Sequence, residues 1–374
     1  MSSPSMRSQG ASAQESSPSR ENQSGLHLTC LATFPNLRAL AWDREVLYAS
    51  RGYQVLRAKV SADPFQWERV ASYSPVAWRG LTSCHRLTSR LFRDGFHALA
   101  TLSTGHLIAA VPGAIVTLAP GEREFRATHK IIRGTRPLHI AVTPDDRIFW
   151  GEYFDNAERD EVHIFASTDR GATWDVAYTF PKSAIRHVHN IVFDQWADCL
   201  WVLTGDNGPE CRILRADLNF SAVNVVLAGN QQARAVALVP APEGVYFSSD
   251  TPFETNHVYF LDRSGKLSQR ASLSSSSIYA CRVGEAIFIS TMVEPSAANP
   301  GQEVHVYGTV DGREWPVLLE WKKDRWPMGL FQYGNVFFPD GENASGLLAA
   351  TAVSVERADG KTTLWRVPWA SRSR

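Results

Sequence analysis

Hydrophobic positions along this chain fall in short runs, many alternating with polar residues, and Gly, Pro, Asp or Asn cuts each run off. Arg147-Ile148-Phe149-Trp150, Cys199-Leu200-Trp201-Val202-Leu203 and Gly244-Val245-Tyr246-Phe247 show the pattern. No segment keeps a 3.6-residue apolar period through the three turns of an ordinary helix, so a nearly all-β chain is expected. The runs also repeat. An inner strand of small apolar residues leads to a turn, then to an aromatic-rich strand ending on a polar group, then to two more strands. Starts fall at Arg38-Ala-Leu-Ala-Trp, His97-Ala-Leu-Ala-Thr, His139-Ile-Ala-Val-Thr, His189-Asn-Ile-Val-Phe, Arg234-Ala-Val-Ala-Leu, Tyr279-Ala-Cys-Arg-Val and Met328-Gly-Leu-Phe-Gln, 42 to 59 residues apart. A four-stranded propeller blade takes ~40–50 residues. Seven blades are therefore expected. Six stay open, because the first repeat is long and irregular around Pro75 to Arg93.

The strand Leu26-His-Leu-Thr-Cys-Leu-Ala is placed to complete the last blade and close the ring, which removes exposed strand edges. A single domain over 26–368 follows, between a polar, Ser-rich and disordered tail at 1–25 and a short basic end at 369–374. With 374 residues the chain is long enough for a large core. Lys and Arg number 38 and so do Asp and Glu, which leaves no global field to attract nucleic acid. No apolar window approaches the ~20 residues of a membrane span. Cys30, Cys84, Cys199, Cys211 and Cys281 form no CxxC pair and read as buried free thiols. Without a visible signal peptide the cytoplasm is the expected compartment.

Residues that open inner strands and close second strands converge on one mouth of a propeller's channel. Here they are polar. His97, His139, His189 and Arg234 hold equivalent places on four successive blades, and His187 shares the parity of His189. His139, His187 and His189 are candidate ligands for Zn, Mn or Fe, with Gln232 or a carboxylate as a further ligand, and His189 is also a candidate general base. The second strands end on Glu152 and Tyr153, on Thr204 and Asp206, and on Ser249 and Asp250; Glu294 follows in a longer loop. Glu152, Asp206 and Asp250 are candidates for an acid and base pair. Asp206 in Gly205-Asp206-Asn207-Gly208 is equally a turn former. Arg136, Arg186 and Arg234 precede or open three consecutive inner strands, and a guanidinium fork suits a carboxylate. Trp315, Trp321 and Trp326 read first as packing between blades, and Lys322-Lys323-Asp324-Arg325 as a solvated turn.

Ser167-Thr168-Asp169-Arg170-Gly171-Ala172-Thr173-Trp174 resembles the Asp-box, S-x-D-x-G-x-T-W, of the sialidase-like (BNR-repeat) propeller superfamily at every defined position. Thr309-Val310-Asp311-Gly312-Arg313-Glu314-Trp315 resembles a degenerate copy, one residue short. The resemblance implies a folding role for Ser167, Asp169, Gly171, Thr173 and Trp174. It also implies a carbohydrate-active enzyme, hydrolase or lyase, acting on an acidic glycan at the channel mouth. Arg186, Arg234, Tyr153 and Gln232 then bind substrate, while His189, Glu152, Asp206 and Asp250 carry the chemistry. The R-I-P motif of sialidases is absent, and no Tyr/Glu nucleophile pair stands out. His187-x-His189 also resembles, in that motif alone, the metal-binding histidines of oligogalacturonate-lyase-like propellers, with Ala184 in place of their Gln. The alternative is a non-catalytic propeller that binds a protein or glycan.

Overall fold

The computed structural model describes residues 26–60 and 65–368 and shows a seven-bladed β-propeller. The polar tail and the basic end expected from the sequence lie outside the described residues. Blades 1 to 6 run in chain order, their inner strands being Arg38–Arg44, Ala98–Thr101, Ala141–Val142, Val188–Asp194, Ala235–Ala241 and Ser277–Val283. Each meets its second strand in an antiparallel hairpin. Small residues such as Ala39, Ala98, Ala141 and Ala235 let seven inner strands approach the axis. Larger ones fill the spaces between sheets, as Leu40, Val55, Phe96 and Val116 do between blades 1 and 2.

Blade 7 differs from expectation. Its inner strand is Asn335–Phe337, and Met328–Phe331 forms one helical turn instead. Pro327 stands immediately before that turn, where its fixed φ and missing N–H suit a helix start and not a strand ladder. The outermost place is taken by Thr29–Pro35, paired antiparallel with Lys361–Arg366, so the two ends of the chain close the ring. One further strand, Asp340–Asn343, runs parallel to Ala41–Arg44 on the channel side of blade 1. Gly341 allows this: its φ is +89°, and a Cβ there would collide with the Trp42 carbonyl.

Between blades 1 and 2 the chain leaves the sheet for two short helices, Ala77–Thr82 and Arg86–Phe92. Neither is long enough to show a helical period in the sequence. The run Lys322-Lys323-Asp324-Arg325 is solvated only at Lys322 and Arg325. Lys323 is buried, and Asp324 accepts from the equally buried Arg90 of the second helix at 2.6 Å. Cys199 and Cys211 are buried free thiols as expected, but Cys30 and Cys84 are exposed. No helix of the described residues is long and apolar enough to cross a membrane.

The hairpin at Ser167–Trp174 is held by its own side chains. Asp169 accepts from the backbone N–H of Ala172 and Thr173 and from the Thr173 hydroxyl; Ser167 Oγ accepts from Gly171 N–H. Trp174 donates across to Thr128 in blade 2. At Thr309–Trp315 the arrangement recurs with Asp311 and Thr309, and Trp315 packs against Tyr246 of blade 5.

Candidate functional site

Inner strands begin and second strands end on the same face. That topology gathers His187, His189 and Arg186 from the start of blade 4, Asp206 from its second hairpin, Arg234 and Asp250 from blade 5, and Tyr153 from blade 3. His187 and His189 stand on either side of Val188 at the start of the strand, where the ladder shifts register between Val188 and Asn190, and their rings meet there. Nδ1 of His187 lies 2.9 Å from the Phe154 carbonyl, and Nδ1 of His189 lies 2.9 Å from that of Ala235. A carbonyl only accepts, so both rings carry their proton on Nδ1 and both Nε2 atoms present lone pairs. These Nε2 atoms face one another at 3.0 Å, and the Asp206 carboxylate stands 3.3 Å from His189 and 3.6 Å from His187.

Three acceptors turned toward one point repel unless a proton or a cation lies between them. Burial, partly offset by Asp206, pushes the His189 pKa below its ordinary value, which disfavours the proton. Burial also opposes the charge of Asp206, while Arg186 at 3.1 Å and Arg234 at 3.3 Å favour it. Two imidazoles and a carboxylate, with each outer ring nitrogen anchored to a carbonyl, match the donor set and outer shell of a transition-metal site. Their ligand atoms all lie within 4.8 Å of one another. The residues therefore fit a divalent metal.

Two arginines flank the cluster. Arg186 reaches Asp206 at 3.1 Å and also pairs with Asp155; Arg234 reaches Asp206 at 3.3 Å and Asp250 at 3.5 Å. Asp155 thus offsets part of the positive field of Arg186 that would oppose a cation. Asp250 is buried, its Oδ1 has no hydrogen-bond partner, and burial drives its pKa up to about 7, with Arg234 opposing and Glu294 and Asp206 adding to the rise. Burial, with Asp206 and Asp250, likewise raises the Tyr153 hydroxyl to about 12. Its ring lies against His187, 4.3 Å between centroids.

A raised folded-state pKa on an acid means that stability is fully present below the unfolded value and is lost as pH rises through the folded one. Asp250→Asn is therefore expected to gain stability relative to wild type between about pH 4 and pH 8, by up to about 4 kcal/mol. Thermal melts of both proteins across that range check this; a pH-independent difference would contradict it.

Three expected site residues are placed elsewhere. His139 lies outside the metal group: its Nδ1 faces Asp340 of the channel strand at 3.1 Å, and its ring is 5.9 Å from that of Tyr279. The Asp340–Asn343 strand, which no repeat signal marks, supplies this competing partner. Glu152 is taken up by Arg133, by both carboxylate oxygens, and by the His163 N–H at 2.8 Å, so it ties the hairpin of blade 3. Gln232 turns outward within blade 5, bound to Glu254, Thr255, His257 and Tyr259. Its neighbour Gln231 instead donates to the Asp206 carbonyl at 3.1 Å, because a 3-10 turn points adjacent residues in different directions. His97 is also separate, donating from Nε2 to the Arg93 carbonyl at 2.6 Å. A channel cavity of about 810 Å³ is bounded by His139 and Asp340, but the His187–His189–Asp206 cluster borders none of it.

No family model and no curated protein matches the chain. Solved structures do resemble it. One is a chain in a crystal structure of the mitotic checkpoint complex, at TM-score 0.57 and 10% identity, covering 96% of this chain and 99% of that one. Another is the WD40 β-propeller domain of Doa1, at TM-score 0.56 and 11% identity, covering 93% and 100%. A third is the computationally designed Ika8 protein, at TM-score 0.51 and 9% identity, covering 91% and 100%. At such identities the likeness shows the fold alone, a β-propeller.

Proposed function

We propose that the top face is a metal-dependent site at which an acidic glycan is cleaved, by hydrolysis or by elimination. The observation that carries the reading is the convergence of His187 Nε2, His189 Nε2 and the Asp206 carboxylate, each lone pair left unopposed. Zn or Mn fits those donors and supplies Lewis acidity when bound. Around it, Arg186 and Arg234 offer forks to a substrate carboxylate. Asp250 holds a proton near neutral pH while Asp206 stays ionised, a divergence of the kind that separates acid from base in one site. The carbohydrate part of the reading comes from the resemblance to the Asp-box superfamily, which the side-chain geometry at Ser167–Trp174 supports.

The test is product release from uronate-containing and sialylated oligosaccharides, with and without a chelator. Cleavage is expected to stop on chelation, to return with Zn or Mn, and to fall as pH rises through about 7, where Asp250 loses its proton. No cleavage of either class, with metal present, would sink the enzymatic reading.

A protein-binding platform is the second reading. It is favoured by the exposed Trp78 and Leu81 on the first helix of the insert, 48% and 77% accessible. It is also compatible with likeness to a propeller solved within an assembly. Trp78→Ala/Leu81→Ala would leave cleavage untouched if the first reading is right.

A further inference from the structure

We propose that a second cavity on the top face, roofed by the helices Ala77–Thr82 and Arg86–Phe92, is a binding site for a small polyanion bearing phosphate or carboxylate groups. The cavity is about 960 Å³ and lies between the insert, blade 1 and blade 7. Small-molecule pockets fall in the range of ~300–1,000 Å³. It shares no lining residue with the His187–His189–Asp206 cluster, so the inference does not rest on the metal reading.

Charge carries the argument. Five arginines line the cavity, Arg38, Arg51, Arg69, Arg86 and Arg90, against two acids, Asp94 and Asp359. Both acids are already engaged. Asp94 accepts from Arg79 at 2.7 Å and from Thr82 at 2.6 Å, and Asp359 takes Arg86 at 3.2 Å and Arg90 at 3.0 Å. Among the described residues, Arg38, Arg51 and Arg69 therefore have no carboxylate partner inside the cavity.

Arg38 forms the inner end. Its guanidinium stacks over Phe337 at 4.0 Å and contacts His97 Nδ1 at 3.4 Å, while its Nε is buried without a partner. Asp340, the acid across the channel, is engaged by His139. Arg136 approaches the same place from the start of blade 3 and, among the described residues, pairs with no acid, bonding the Thr135 hydroxyl beside it. The crowding shows in the titration of these groups. Burial, then Arg136 and Arg38, hold His97 well below its ordinary pKa, and burial with Arg38 and Arg93 brings Arg136 down to about 10.

The Arg38 guanidinium is desolvated and feels Asp340 only across the channel, so an anion entering the cavity offsets part of its desolvation, while the exposed Arg51 and Arg69 add charge at the rim. Arginine forks match the paired oxygens of phosphate and carboxylate. Ser50, Ser72 and Ser89 add hydroxyl donors, and Tyr53 and Tyr73 give the cavity an aromatic wall. A compact ligand with several negative charges satisfies all of these at once.

The test is calorimetric titration of the full chain, stripped of metal, with inorganic pyrophosphate in one arm and citrate in the other. Binding is expected in at least one arm, and the tighter arm tells phosphate from carboxylate. Arg38→Gln is expected to weaken it at least about tenfold, and Arg51→Ala/Arg69→Ala at least about threefold. Because Arg38 also packs on Phe337, the double variant at the rim decides if Arg38→Gln fails to fold. Neither anion binding, or undiminished binding by the rim variant, overturns the proposal.

Discussion

Purified protein is expected to carry one equivalent of a divalent transition metal, and folded His187→Ala/His189→Ala to carry none. Loss of an outer-shell partner alone costs a metal site about 10–100-fold in affinity, so loss of two direct ligands should cost roughly a hundredfold or more. The same geometry predicts an inversion in stability. With metal at a hundred times its dissociation constant, wild type gains about 2.7 kcal/mol. Stripped of metal, it must hold two Nε2 lone pairs 3.0 Å apart beside a carboxylate, and the double variant is relieved of that repulsion. Asp206→Asn behaves differently. It removes a partner shared by Arg186 and Arg234, which keep Asp155 and Asp250, together with a metal ligand, so it is expected to lower stability by less than the ~3–5 kcal/mol of a fully broken buried pair. Elemental analysis and melts of the three proteins, each with and without chelator, distinguish these effects. Metal retained by the folded double variant, or absent from wild type, would remove the cluster as a metal site.

The repeat was readable because a blade imposes the same order of strand and turn each time. Six of the seven expected inner strands overlap observed ones. The seventh, at Met328, was misplaced because Gly329-Leu330-Phe331 satisfies a strand pattern as well as the helical turn it makes after Pro327. His187 and His189 were legible as neighbours at the opening of an inner strand, although a register shift between Val188 and Asn190, and not plain alternation, accompanies the meeting of their rings. Partners were not legible. Glu152 has the right place at the end of its strand, yet Arg133 and the His163 N–H claim it. His139 has the right place too, and meets Asp340 from a strand 201 positions away in sequence. The cationic cavity was hidden altogether. Its arginines come from blade 1 and from a helical insert whose turns are too few to show a period, and a net charge of zero gives no hint that they cluster.

Removal of the residues through Pro35 is expected to abolish cooperative folding, the second large effect that the fold dictates. Thr29–Pro35 is the outermost strand of blade 7 although it comes first in the chain, so the ring is closed by one ladder, from Thr29↔Arg366 to Pro35↔Lys361. Leu26, 2% exposed, is packed in the core between blades 6 and 7, and Phe34 stacks on Phe65 and meets Trp67 edge-on. Burial of one such side chain is worth about 1.5–3 kcal/mol, and two with a ladder approach the ~5–15 kcal/mol by which a domain is stable at all. The truncated chain would also expose the edge of Lys361–Arg366, which invites pairing between molecules. Size-exclusion chromatography and thermal melts should show aggregation or no transition, whereas Leu26→Ala and Phe34→Ala each keep the ring and lose about 2–5 kcal/mol. A synthetic peptide of residues 26–35 should restore a transition to the truncated protein, because the edge it leaves is complementary to that strand alone. Melting of the truncated protein at the wild-type temperature would mean that the ring holds without its closing strand.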